Sequence, residues 1–97
     1  MKGYTYILLC SNGTYYTGST TNLEKRYQQH VNGNGSNHTR KHPPVKILYY
    51  EEYDRIDFAF QREKQIQGWS RKKKEALMSD KLKDLVLYSK NYSDFNK

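Results

Sequence analysis

At 97 residues the chain is enough polypeptide for one domain, since two halves would each be too small to bury a core without staples. Seventeen Lys and Arg against ten Asp and Glu give a net charge of +7 and a pI near 9.5, a field that attracts polyanions and above all nucleic acid. The single Cys10 allows no internal disulfide, no Cys/His cluster has zinc spacing, and Ile7-Leu8-Leu9 is too short for a signal peptide or a membrane span. A soluble cytoplasmic protein, with no membrane partner, is therefore expected.

Residues 4 to 9 are rich in aromatic and branched side chains in both alternating sets, which predicts a first strand apolar on both faces. Ser11-Asn12-Gly13 predicts a hairpin turn into a second strand over residues 14 to 18. The length of that turn matters, because successive side chains point to opposite faces. With a three-residue loop and Gly13 in the left-handed conformation, Leu8 pairs with Tyr16 and Tyr6 lies diagonally beside it on the same face; a two-residue Asn12-Gly13 turn separates the tyrosines. The three-residue loop is the expectation.

Thr21-Asn22-Leu23-Glu24 has the form of a capping box, so a helix is predicted from Thr21 to about Asn32, stopped by Gly33-Asn34-Gly35. On it Leu23, Arg26, Tyr27 and His30 share one face. Residues 33 to 44 read as a surface loop whose His38, Arg40, Lys41 and His42 form a basic stretch, either a phosphate contact or a merely solvated loop. Val45 to Tyr53 predicts a third strand with Ile47, Leu48, Tyr49 and Tyr50 buried, while Glu51 and Glu52 mark its exit to solvent.

Asp54 and Asp57 place acids at the start of a helix running to about Gly68. Ile56, Ala59, Glu63 and Ile66 recur at helical spacing, which puts Glu63 in the apolar stripe. A carboxylate there needs a cation, a metal or several donors, and a salt bridge to a nearby arginine competes with a catalytic role. Trp69-Ser70 opens a further helix whose first turn is Arg71-Lys72-Lys73-Lys74, a cluster that invites an anion such as phosphate or equally forms a solvated face. Ser79-Asp80 is expected to cap a last short helix, with Leu82, Leu85 and Val86 packing inward. The domain is expected over residues 1–88, followed by a polar tail over residues 89–97.

Taken together, these residues resemble the GIY-YIG nuclease superfamily, in particular its short stand-alone bacterial members. Tyr4-Thr5-Tyr6-Ile7 is similar to the GIY element and Tyr16-Thr17-Gly18 to the YIG element. Asn22-Leu23, Arg26, His30 and Glu63 follow in the family's spacing, and Arg62 to Ile66 with Gly68-Trp69-Ser70-Arg71 is similar to the stand-alone members. Thr17 stands where the motif has isoleucine, and Ser19 where the excision-repair nuclease domains have lysine.

The resemblance implies an α+β fold, a three-stranded antiparallel sheet flanked by helices, in agreement with the β-β-α-β-α-α order read above. It implies a divalent-metal-dependent endonuclease acting on DNA, with Glu63 as ligand for Mg2+ or another divalent cation such as Mn2+. Arg26 is expected to bind the scissile phosphate and Tyr16 to activate water with support from Tyr6. His30 is expected to bond the phosphate or relay a proton. Arg40, Lys41, Arg71, Lys72, Lys73 and Lys74 are candidate DNA contacts. No appended specificity module is present, so the substrate is expected to be recognised by backbone or structure, as in branched, nicked or damaged DNA. The alternatives are a noncatalytic nucleic-acid-binding module on the same fold and a basic protein-interaction domain.

Overall fold

A computed structural model describes residues 1–83, with side chains to Ser79. Strands β1 (Gly3–Cys10) and β2 (Tyr15–Thr20) are followed by helices α1 (Leu23–Val31) and α2 (Asn37–Lys41), strand β3 (Pro44–Tyr53) and helices α3 (Ile56–Gln67) and α4 (Arg71–Lys83). The sheet is antiparallel with order β2-β1-β3. The central position of β1 explains why both of its side-chain sets are apolar: Tyr6, Ile7 and Leu8 are all buried.

The hairpin has the three-residue geometry. Cys10 N–H donates to Thr14 O at 2.9 Å, Gly13 has φ +83°, and Leu8 pairs with Tyr16 while Tyr6 pairs with Gly18. Tyr6 and Tyr16 therefore share a face. On the opposite face Ile7, Tyr49 and Ile66 form the core, with Leu48, Trp69, Leu77 and Met78 packed against it. Helix α3 closes over that face, where the Thr5 hydroxyl donates to Ala59 O at 2.7 Å.

Several expectations are corrected. Helix α1 is capped by Asn22, whose side chain accepts from Lys25 N–H, and not by a Thr21–Glu24 box; both residues are good caps, and the chain uses the later one. The supposed loop over residues 33 to 44 contains α2, whose N-cap Ser36 forms a reciprocal capping box with Thr39. Helix α3 starts after Arg55, which makes no side-chain cap bond, although Asp57 does sit in its first turn.

Glu51 is buried and Tyr50 exposed, the reverse of the expected order. The reason is ion pairing. Arg62 Nε and Nη2 donate to the two Glu51 oxygens at 3.0 and 3.2 Å. Tyr53 donates to the same carboxylate at 2.6 Å, as does Tyr49. A carboxylate so supplied can stay charged inside. Burial and this neighbouring carboxylate push the Tyr53 phenol up from its ordinary value.

Helix α4 runs through Ser79-Asp80 without a break, so no new helix is capped there. Leu85, Val86 and the tail over residues 89–97 lie outside the described residues. Among the described residues no helix is long and apolar enough to cross a membrane.

Candidate active site

Tyr6 is the buried centre of the site. Only 1% of it is exposed, and its hydroxyl lies 2.9 Å from His30 Nε2. His30 is itself fully buried, with Nδ1 2.7 Å from the Thr39 hydroxyl. The unpredicted helix α2 thus holds His30, and His30 holds Tyr6.

Two glycines make room for this chain of contacts. A Cβ on Gly18 would lie 2.4 Å from the Tyr6 hydroxyl, and one on Gly35 would lie 2.0 Å from His30 Nδ1. The glycine of the second motif is therefore required by the phenol across the ladder, since no side chain fits at such distances.

Charge follows burial. Desolvation pushes the Tyr6 phenol up to about 12, against the pull of the Arg26 guanidinium beside it; the Glu63 carboxylate also acts on this phenol, in the same direction as burial. Burial first, and then the positive charge of Arg26, lower His30 to about 4. Near neutral pH Tyr6 is accordingly a protonated phenol and His30 an uncharged imidazole. With both ring nitrogens engaged and no exposed surface, His30 is built to orient Tyr6 and has no face for a phosphate.

Tyr16 is half-buried. Its ring lies 6.5 Å from that of Tyr6 and 5.1 Å from that of His30, edge-on to the latter. Its other neighbour is His38, stacked at 6.0 Å with 21° between planes. Arg26, also half-buried, donates to Gln29 Oε1 at 2.9 Å and to Gly35 O at 3.4 Å. No acidic side chain pairs with it among the described residues, so its charge is available to a phosphate.

Glu63 stands on α3, on the Ser19 side of the sheet, and is near enough to act electrostatically on the Tyr6 phenol. One oxygen accepts from the Ser19 hydroxyl and the other from Gln67 Nε2 at 2.6 Å. Gln67 is itself anchored on Thr17 O at 3.2 Å. Among the described residues no Lys or Arg pairs with Glu63, and the neighbouring Arg62 is committed to Glu51. The salt bridge weighed for Glu63 is thus made by Glu51 instead. Two neutral donors orient the Glu63 carboxylate without neutralising it, and each oxygen keeps a lone pair.

That donor set fits a magnesium-type ion, which takes one or two carboxylates and retains waters. It does not fit an all-protein cage, because no group of three or more His, Cys, Asp and Glu side chains gathers among the described residues.

The basic candidates flank the hairpin turn. Arg71 donates to Gly13 O at 2.7 Å, pairs with Glu75 at 3.2 Å and lies 4.0 Å from the Tyr15 ring centroid. It therefore fastens α4 to the turn. Lys73 lies 4.4 Å from the Trp69 ring centroid, Lys72 is exposed, and Lys74 is half-buried with its amine lowered by desolvation. On α2, Arg40 donates to Asn37 Oδ1 at 2.8 Å and Lys41 is exposed.

Sequence reasoning did not find Ser19, Gln67, Thr39 or Gly35 as parts of the site. Gln67 had a readable signal, since it sits one helical turn after Glu63. Ser19 was visible only as a missing lysine, and it proves to be a donor to the same carboxylate.

Comparison with known proteins bears on the family and the fold. Residues 2–76 match the GIY-YIG catalytic domain. The chain is 44% identical over 77 residues to a UPF0213 protein of Natronomonas pharaonis, covering 79% of this chain and 91% of that one. It is 44% identical over 78 residues to a UPF0213 protein of Clostridium perfringens, covering 80% and 84%. The solution NMR structure of a UPF0213 protein from Bacillus halodurans superposes with a TM-score of 0.55 at 36% identity, covering 84% of this chain and 86% of that one. The chain belongs to the GIY-YIG family of nuclease domains and is similar to its short UPF0213 members.

Proposed function

We propose that this protein is a divalent-metal-dependent endonuclease that hydrolyses phosphodiester bonds in DNA, reading backbone or structure instead of base sequence. The observation that carries the reading is Glu63, a half-buried carboxylate aimed by Ser19 and Gln67 and, among the described residues, paired with no Lys or Arg. A protein that only bound DNA would have no use for unneutralised negative charge on the side where a phosphate must approach.

Glu63 would hold Mg2+ or Mn2+, and the ion when bound relieves charge on the phosphoryl group and on the leaving oxygen. Arg26 grips the scissile phosphate with a permanently charged fork. Tyr16, with the accessible phenol of the pair, would first release its own phenolic proton to solvent and then, as the phenolate, accept the proton of the attacking water. A phenol ordinarily titrates near pH 10, so this transfer depends on the positive charge of Arg26. Tyr6, kept protonated by burial, orients the reacting groups as a donor and is locked in place by neutral His30. The exposed Arg40, Lys41, Lys72 and Lys73 supply backbone contacts, with the half-buried Lys74 beside them; Arg71 contributes mainly by fixing α4. We assign the activity to the cytoplasm, where a lone buried Cys10 stays reduced.

The test is cleavage of plasmid, single-stranded, nicked and branched DNA with magnesium or manganese and with a chelator. Metal-dependent cutting of at least one substrate, stopped by the chelator, is expected. Tight, salt-sensitive binding with no cutting of any substrate favours the noncatalytic nucleic-acid module instead. Binding to a phosphate-free partner in high salt favours the protein-interaction domain.

A further inference from the structure

We propose that His38 is a positioning residue, the side chain that fixes the Tyr16 phenol in its working orientation. Tyr16 lies on an edge strand, and among the described residues its hydroxyl has no hydrogen-bond partner. Nothing but packing of its ring therefore sets where the oxygen points. Three rings pack on it. Tyr6 is tilted at 41° and His30 meets it edge-on at 61°. His38 alone lies near-parallel to it, 6.0 Å away with 21° between planes, an arrangement that restrains the Tyr16 ring from swinging out of its plane.

The His38 ring is itself held. Its Nε2 lies 2.8 Å from the Thr14 hydroxyl, and that hydroxyl donates to Asn12 Oδ1 at 2.6 Å. The Thr14 oxygen must then accept from His38, which makes Nε2 the protonated nitrogen. On its other side the His42 ring follows at 5.5 Å. Helix α2 carries both His38 and Thr39, so five residues reach both tyrosines of the site: Thr39 holds Tyr6 through His30, and His38 braces Tyr16 directly. A stack of this kind needs a ring and no titrating group, which separates it from a proton-transfer role.

The cleavage part of this inference rests on the nuclease reading above, whereas the ring restraint does not. The test uses the full chain as wild type, His38→Ala, His38→Phe and Thr14→Val, with Tyr16 χ1 couplings from NMR as the readout independent of activity. Wild type is expected to hold Tyr16 in one rotamer, His38→Ala to average it, and His38→Phe and Thr14→Val, which keep a ring at position 38 but lose its tether, to fall between. Where the wild type cuts, His38→Ala should lower the single-turnover rate at saturating DNA by about tenfold or more. Its DNA affinity, measured in parallel, should fall by much less than the rate, since the His38 ring is committed to Thr14 and Tyr16. His38→Phe should recover part of the rate. A single Tyr16 rotamer in His38→Ala overturns the proposal, and so does a His38→Phe variant as defective as His38→Ala. If His38→Ala does not fold, the comparison of His38→Phe and Thr14→Val with wild type still decides. If the wild type cuts nothing, the nuclease reading fails and the rotamers still decide this one.

Discussion

Thr17 and His30 show how single side chains are fixed by what surrounds them. Among the described residues the buried Thr17 hydroxyl has no hydrogen-bond partner, in a position where the family motif has isoleucine. An orphaned buried hydroxyl costs the desolvation it never recovers. Thr17→Val is therefore expected to raise stability by about 1 kcal/mol, read from the urea midpoint at unchanged m-value. His30 works in the opposite way, because its buried imidazole is satisfied only while uncharged. Its folded-state pKa of about 4 lies below the ordinary 6.5. Above pH 6.5 neither folded nor unfolded chain binds the proton, so the full stability is present. As pH falls from 6.5 towards 4 the unfolded chain takes up the proton first, and stability is lost by up to about 3 kcal/mol. Denaturation of wild type and His30→Asn across this window should show a steeper loss in the wild type.

Helix α2 is the element on which the site depends and the one that was hardest to read. It is five residues long and flanked by Gly35 and Pro43, and its cap pairs Ser36 with a threonine, not with glutamate. Composition therefore signalled a loop. The hairpin was more legible, because Asn12-Gly13 limits the turn to two geometries and only the three-residue one puts Leu8 opposite Tyr16. Glu63 was legible from helical periodicity, yet the same reasoning put Glu51 in solvent. Its partner Arg62 lies on another element 11 positions away, and strand alternation carries no information about such a pair. Thr39→Val tests the weight of α2, since it removes the capping contact and the bond to His30 together. It is expected to cost about 1–2 kcal/mol in thermal or urea unfolding. It should also slow DNA cleavage by loosening Tyr6.

On the scale of the whole molecule, a net charge of +7 is divided between groups that meet solvent and groups already spent on structure. Lys72 and Lys73 are exposed, whereas Arg71 ties α4 to the hairpin turn. Their substitutions should differ in kind. Lys72→Ala should weaken DNA binding uniformly across sequences and reduce the salt slope of the binding constant by about 1. Arg71→Ala should instead lower stability.

In the proposed function the charged surface would bring a phosphate to Glu63, which among the described residues pairs with no Lys or Arg. The most direct test is the cleavage rate of wild type and Glu63→Ala on one DNA substrate with magnesium, with binding of that DNA measured in parallel. Metal-dependent cutting by the wild type, loss of cutting in Glu63→Ala and retained binding in both are predicted. Undiminished magnesium-dependent cutting by Glu63→Ala would contradict the account.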